Sequence, residues 1–226
     1  MQSVESTSRL SRFRGGRQHK RLRGGARRGS VPAGNSSRTE PPPMMSSTDA
    51  PASIRRLVPE DARAYAEFRL AALEGNPLAF GSSAEEERGH ALAVAAARIH
   101  DPARPQDFVL GAFAGRDVVG TAGFKRDLRA KHRHKGSVFG VAVAPAAAGR
   151  GLGGALVRRL VAEARTVPGL LQLVLTVSDG NGGAEALYRR CGFTVFGREP
   201  RAMLVDGVAV AKLHMVLMLD APSGSD

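Results

Sequence analysis

The sequence predicts an α/β fold in which helices flank a mixed β-sheet. Two observations support this prediction. Seven apolar segments show the alternation or the continuous apolar character that is typical of strands, and four segments have helical spacing. Along the chain they follow the order β-α-α-β-β-β-α-β-α-β-β. Strands that alternate with helices and also follow one another directly indicate a sheet containing both parallel and antiparallel neighbours.

The N-terminal part of the predicted domain contributes one strand and two helices. Residues 54–58 form the strand, and residues 61–74 have apolar positions near helical spacing. Gly75, Asn76 and Pro77 end that helix. An Ala-rich helix is predicted over residues 84–98, where three glutamates suit the positive end of the helix dipole.

The middle of the chain contributes three strands. Residues 107–114 and 117–125 read as two strands around a tight turn at Gly115 and Arg116. A basic loop over residues 126–135 leads to an apolar strand over residues 137–143.

The last part completes the sheet. A helix over residues 151–165 is followed by a buried-type strand over residues 170–177. A short helix is predicted over residues 184–191, before closing strands over residues 193–198 and 209–219. The predicted domain spans residues 51–222.

Residues 1–50 have a different composition. They are rich in Arg, Gly, Ser and Pro and contribute more than half of the formal net charge of +12. With so little to bury, this segment is expected to be disordered. Its arginines suit nucleic-acid phosphates or a transit peptide, and an inert tail with translation starting at Met44 or Met45 is the alternative that we favour. The tail therefore does not decide the function, and a nucleic-acid partner is not expected.

Cysteine and histidine content restricts the setting. The chain has one cysteine, Cys191, so it has no internal disulfide and fits a reducing, cytoplasmic compartment. No apolar run has the length of a membrane-spanning helix, so no membrane partner is expected. His132 and His134 could share one strand face, but no third ligand cluster accompanies them, and no metal site is predicted.

The segment after the strand at 137–143 contains four glycines in six residues, from Gly149 to Gly154. Small side chains at a strand-to-helix junction let backbone N–H groups approach a phosphate, which the helix dipole also favours. Arg150 adds positive charge. This pattern predicts a pyrophosphate site, and a loop that only allows close helix packing is the alternative. The pattern GxGxxG fits a dinucleotide-binding fold poorly, because no acidic residue at the required spacing is available to hold a ribose.

A second motif follows one strand later. The residues are Asn181, Ala184, Leu187, Tyr188, Gly192 and Phe193, in the pattern NxxAxxLYxxxGF. With the glycine-rich turn, this motif resembles the GNAT family of N-acetyltransferases over about residues 54–219. The resemblance implies the GNAT acyl-CoA N-acyltransferase fold, with a mixed and mostly antiparallel sheet flanked by helices.

The resemblance also implies an activity, acetyl transfer from the co-substrate acetyl-CoA to a primary amine of a small molecule or protein. Tyr188 would be the general acid that protonates the CoA thiolate. Residues on the strand, at the glycine-rich turn and in the second motif would bind acetyl-CoA: Val141, Ala142, Val143, Gly149, Arg150, Gly151, Leu152, Gly153, Gly154, Asn181 and Ala184.

The sequence departs from the family pattern at Ala148, where the family has Arg or Gln, and we expect weaker CoA binding as a result. The general base is unassigned, with His134 and the glutamates at 85–87 as candidates. The alternative function is a GNAT-fold protein that binds acyl-CoA with little catalysis. The acceptor and the oligomeric state remain open, with a homodimer as one option.

Overall fold

The computed structural model describes residues 53–219. The predictions for residues 1–50 and for the last residues of the domain lie outside this range. One seven-stranded sheet in the order β1-β2-β3-β4-β5-β7-β6 organises the described chain. Its strands are β1 (Ser53–Arg56), β2 (Phe108–Ala114), β3 (Asp117–Arg126), β4 (Lys135–Val143), β5 (Gln172–Ser178), β6 (Thr194–Val205) and β7 (Val208–Met218). Among these strands, β4 and β5 form the one parallel pair, and the other five neighbouring pairs are antiparallel. The predicted mixed, mostly antiparallel sheet is therefore confirmed.

Residues 53–219 contain five α-helices: α1 (Ala62–Gly75), α2 (Ala84–Arg88), α3 (Ala91–Ile99), α4 (Leu152–Ala164) and α5 (Gly182–Arg190). Helices α4 and α5 pack on one face, the α4 face, where Leu156 and Leu160 meet Leu110 and Leu173 in the larger apolar core. Helices α1 and α3 pack on the opposite face, the α1 face, in a smaller core around Tyr65.

The predicted single helix over 84–98 is wrong, because the structure contains two helices separated at Gly89 and His90. Glu87, which is 5% exposed, explains the break. Its carboxylate accepts from Arg69 on α1 at 2.7 Å and from Arg98 on α3 at 3.3 Å. In one continuous helix, residues 87 and 98 would lie about 16 Å apart along the axis, so they could not meet.

The strand predicted over 193–198 is too short, because β6 continues to Val205. Pro200 lies inside β6 and has no N–H to donate to a neighbouring strand. The strand tolerates it because β6 is at the edge of the sheet and its register shifts between Glu199 and Met203. Asp206 and Gly207 then form the two-residue turn into β7.

Candidate functional site

The parallel strands β4 and β5 part from each other inside the sheet. They pair at only three positions, the last being Ser137 with Val174. The rest of β4 stays paired with β3 on its other side, and the Thr121 hydroxyl donates to the Gly140 carbonyl at 2.8 Å beside a register shift. Within residues 53–219, the edge of β4 that faces β5 is therefore open from Val138 to Val143. An extended ligand can pair with such an edge as an added strand.

The predicted strand residues Val141, Ala142 and Val143 lie on this open stretch and are half-buried. All three also line a cavity of about 390 Å³ between the end of β4 and the last turns of α1. The structure therefore brings them together at one site.

The glycine-rich turn directly continues β4. Gly151 is the N-cap of α4 with φ of 75°, a left-handed conformation that a glycine adopts without strain. Among the described residues, the N–H groups of Leu152, Gly153 and Gly154 donate to no backbone carbonyl, while Ala155 donates the first helical bond, to Gly151. Free N–H groups at the positive end of a helix make an anion site.

A cavity of about 570 Å³ lies over this turn. It is lined by Val143, Gly149, Gly151, Leu152, Gly153, Gly154 and Ala184 of the predicted set, together with Ala147 and Ala148. Arg150 is exposed on the same turn and is not part of the lining.

Two arginines that the sequence analysis missed line the same cavity. Arg158 lies one turn after Gly154 on α4, and Arg190 lies at the end of α5. Neither has a carboxylate partner among residues 53–219, whereas their neighbours Arg159 and Arg189 do. The spacing of one helical turn from the glycines was the signal for Arg158, and the sequence contains no comparable signal for Arg190.

The two guanidinium groups both lower the pKa of the Cys191 thiol. Burial raises the pKa of its thiol, and the charges of Arg158 and Arg190 offset part of that rise. Their positive charges therefore converge beside the glycine-rich turn, where Ala148 contributes none.

Asn181 connects the second motif to the site. It is the N-cap of α5, and its Oδ1 accepts from the N–H of Ala184 at 3.1 Å. This bond leaves the side-chain NH₂ group to donate elsewhere. Asn181 lines the cavity beside β4 and a second cavity of about 600 Å³. The two cavities share Gly75, Asn76 and Ala79, so they adjoin each other.

Tyr188 lies on the buried side of α5. Burial, together with a smaller contribution from the nearby Cys191, raises the pKa of its phenol to about 12. Its ring packs edge-on against Phe193 with centroids 6.0 Å apart. No residue in 53–219 is hydrogen-bonded to the hydroxyl. In the same range, every completely buried side-chain nitrogen or oxygen has a hydrogen-bond partner. The Tyr188 hydroxyl is therefore not completely buried, although Tyr188 lines none of the three cavities, and it stays protonated at neutral pH.

The candidate bases from the sequence are badly placed. His134 precedes β4, so it lies at the end of the strand opposite to the glycine-rich turn, about 25 Å along the chain direction. Glu87 is held by two arginines, and Glu86 caps α2 by accepting from the Ser83 N–H at 2.8 Å. Glu85 lies on the exposed first turn of the same helix.

Residues 53–219 contain no group of three or more His, Cys, Asp or Glu side chains placed to hold a metal ion. No helix of that range combines the length and apolar character needed to cross a membrane.

Comparison with known proteins places the chain in a family. The profile of the Acetyltransferase (GNAT) family matches residues 60–193. The mixed seven-stranded sheet with its flanking helices is the fold of this family. The chain belongs to the GNAT acetyltransferase family. No curated protein sequence matches the chain.

Solved structures agree with this assignment. A GNAT acetyltransferase from Streptococcus pneumoniae superposes with a TM-score of 0.64 at 21% identity, over 75% of this chain and 99% of that one. The yncA protein of Salmonella typhimurium, solved with its cofactor acetyl-CoA, has a TM-score of 0.60 at 25% identity, covering 78% and 99%. A ribosomal-protein-alanine N-acetyltransferase from Brucella melitensis has a TM-score of 0.60 at 25% identity, covering 74% and 99%.

Proposed function

We propose that this protein transfers an acetyl group from acetyl-CoA to a primary amine of a small molecule or peptide. One observation carries the proposal: the open edge of β4 leads directly into the free amides of the glycine-rich turn, and the Tyr188 hydroxyl on α5 is not completely buried. A similar structure was solved with acetyl-CoA, which supports the choice of co-substrate.

Acetyl-CoA would bind in an extended conformation in the gap between β4 and β5. The peptide groups of Val141 and Val143 would pair with its pantetheine arm, and the NH₂ group of Asn181 would donate to the arm. The N–H groups from Gly149 to Gly154 would bind the diphosphate, and Arg150 would add charge nearby. Arg158 and Arg190 would add charge at the same cavity.

The reaction then needs an acid and a base. The departing thiolate develops negative charge in the transition state, and the Tyr188 phenol would protonate it. Burial keeps the phenol protonated, so the proton is present whenever the C–S bond breaks. The amine would approach through the cavity of about 600 Å³ beside Asn76 and Ser178.

A thiol-release assay tests this function. Acetyl-CoA is incubated with the protein and a panel of free amino acids, polyamines, aminoglycosides and short peptides, while calorimetry measures acetyl-CoA binding in parallel. We expect binding and amine-dependent thiol release. Binding without release for any amine would instead identify a protein that senses acyl-CoA, and the absence of binding would refute both functions.

A further inference from the structure

We propose that His214, oriented by Glu199, is the general base that accepts a proton from the acceptor amine; this inference rests on the proposed acetyl transfer. An alkyl amine with a pKa near 10.4 is almost wholly protonated at neutral pH, so its attack requires a base. An imidazole suits this task because its ordinary pKa lies nearest to neutral pH.

The strand register places His214 beside the gap in the sheet. His214 on β7 is the cross-strand partner of Thr176 on β5. Thr176 is exposed and lies beyond Val174, the last residue of β5 that pairs with β4. One strand, β5, therefore lies between His214 and the gap at which acetyl-CoA would bind.

Alternation along the strands decides which face His214 occupies. Leu175 and Met215, the adjacent cross-strand pair, are buried in the core under α4 and α5. Thr176 and His214 therefore point to the opposite, α1 face. Gly75, the last residue of α1, lines both adjoining cavities, through which an amine would approach.

Glu199 orients the imidazole. The His214 Nε2 lies 3.0 Å from Glu199 Oε2. An ionised carboxylate only accepts hydrogen bonds, so a neutral imidazole in this contact has its proton on Nε2 and its lone pair on Nδ1. The ring of Phe196, 5.9 Å away and edge-on, packs beside the imidazole. A base that is oriented by a third group is a recurring catalytic arrangement.

The charged groups around His214 come from two strands. Glu199 lies on β6, and Lys212 lies on β7 as the cross-strand partner of Glu199. Thr176 on β5 is uncharged. Asp179 is the acidic residue that lines the 600 Å³ cavity, but Arg198 holds its carboxylate at 2.7 Å. The ion pair with Arg198 engages Asp179, and we therefore assign the base to His214, which neighbours the gap through Thr176.

The proposed step conserves atoms and electrons. His214 Nδ1 first takes one proton from the ammonium and releases it to water. As the neutral amine nitrogen then forms a bond to the acetyl carbon, it loses a second proton to His214 Nδ1. The C–S bond then breaks, its electron pair stays on sulfur, and that sulfur takes the Tyr188 proton. Water returns the proton from His214 to Tyr188, so the products are the N-acetyl amine and CoA with a free thiol.

The test compares His214→Gln and Glu199→Gln with His132→Gln. His132 is a matched control because it also lies beside a carboxylate, Asp127 at 3.3 Å, but before β4 at the far end of that strand. Turnover is measured at pH 7 and pH 9 with the most reactive amine of the panel, and calorimetry measures acetyl-CoA binding.

We expect His214→Gln to reduce kcat about 100-fold at pH 7, with unchanged acetyl-CoA affinity. The deficit should shrink at pH 9 because more amine is already neutral. Glu199→Gln should show a smaller loss, and His132→Gln should match the wild type.

Two outcomes separate the proposals. If the wild type acetylates an amine and His214→Gln keeps its rate at pH 7, the base assignment is wrong while the enzyme function stands. If the wild type binds acetyl-CoA but acetylates no amine, the proposed function fails and the base assignment fails with it. Should His214→Gln lose acetyl-CoA binding, unchanged turnover in Glu199→Gln would overturn the dyad.

Discussion

Gly153 on α4 lies so close to Leu187 on α5 that a Cβ atom at Gly153 would be only 2.8 Å from Leu187 Cδ1. The first turn of α4 therefore packs tightly on α5, while its N–H groups remain available to a ligand. Both interpretations of the glycine-rich turn, a phosphate site and a close helix contact, apply to this one residue.

Gly153→Ala should lower the free energy of unfolding by about 1–3 kcal/mol, because the added methyl group overpacks the contact between the helices. Urea unfolding followed by circular dichroism measures the change. Gly153→Ala should cost less stability when it is introduced into Leu187→Ala than when it is introduced into the wild type, because the shortened side chain leaves room for the methyl group. A loss that persists in full on the Leu187→Ala background would contradict the close contact.

Tyr188→Phe should reduce turnover at least tenfold and leave acetyl-CoA affinity unchanged, because the ring still packs on Phe193 while the acidic proton is gone. Thiol release and calorimetry measure the two quantities separately. Tyr65→Phe is the matched control, since Tyr65 is buried in the separate core under α1. Unchanged turnover in Tyr188→Phe would exclude the acid role.

Arg158→Ala and Arg190→Ala should each weaken acetyl-CoA binding about fivefold at low salt, because each removes a cation from the cavity over the glycine-rich turn. Calorimetry at two salt concentrations measures the effect, which should shrink as salt screens the charges.

Their sequence neighbours provide the controls. Arg159 pairs with Glu163 at 2.7 Å, and Arg189 pairs with Glu185 at 2.8 Å. Arg159→Ala and Arg189→Ala lower the net charge by the same amount but should leave acetyl-CoA affinity nearly unchanged. Equal losses in all four variants would mean that only overall charge matters, and not the position of the two cavity arginines.

Ala148→Arg should strengthen acetyl-CoA binding severalfold, because position 148 lines the same cavity and the new guanidinium would meet the diphosphate. Calorimetry with the variant and the wild type tests this expectation. An affinity that does not rise would show that Arg158 and Arg190 already supply the charge that this position lacks.

Glu87→Gln should lower the free energy of unfolding at pH 7 by on the order of 3 kcal/mol, because it removes a buried charge that two arginines require. Burial alone would raise the pKa of Glu87, but the hydrogen bonds of Arg69 and the charge of Arg98 lower it to about 2, below its ordinary value of 4.5.

Because the pKa of Glu87 is lowered by folding, its ion pairs stabilise the protein fully above about pH 4.5. This stabilisation is lost as the pH falls toward 2 and the carboxylate becomes protonated. Urea unfolding at several pH values should therefore show the wild type and Glu87→Gln converging between pH 5 and pH 2. A difference that stays constant over that range would contradict the ion-pair contribution.

The sequence predicted the strands and the glycine-rich turn well because both depend on local patterns. Alternation along β7 and the apolar run of β5 are readable in a single segment. The two errors came from long-range contacts. Glu87 meets partners on two other helices, and Pro200 is tolerated only because β6 has a neighbour on one side, which no local pattern reveals.

The candidate site likewise contains residues that a local pattern reveals and residues that only long-range packing reveals. The glycine-rich turn could be named from its pattern and the second motif from its resemblance to the family, and most of these residues line the cavities beside β4 and over the turn. Arg190 and His214 could not be named, because their significance depends on which strands and helices lie side by side. His214 gains its position only from its register with Thr176.

Pro200 has a further consequence for the protein in concentrated solution. An edge strand as long as β6 exposes a row of amide and carbonyl groups that can recruit a strand from another molecule. The proline interrupts that row, and the register shift between Glu199 and Met203 bends the strand where the row would otherwise continue. The same irregularity that shortened the predicted strand thus protects the edge of the sheet against aggregation.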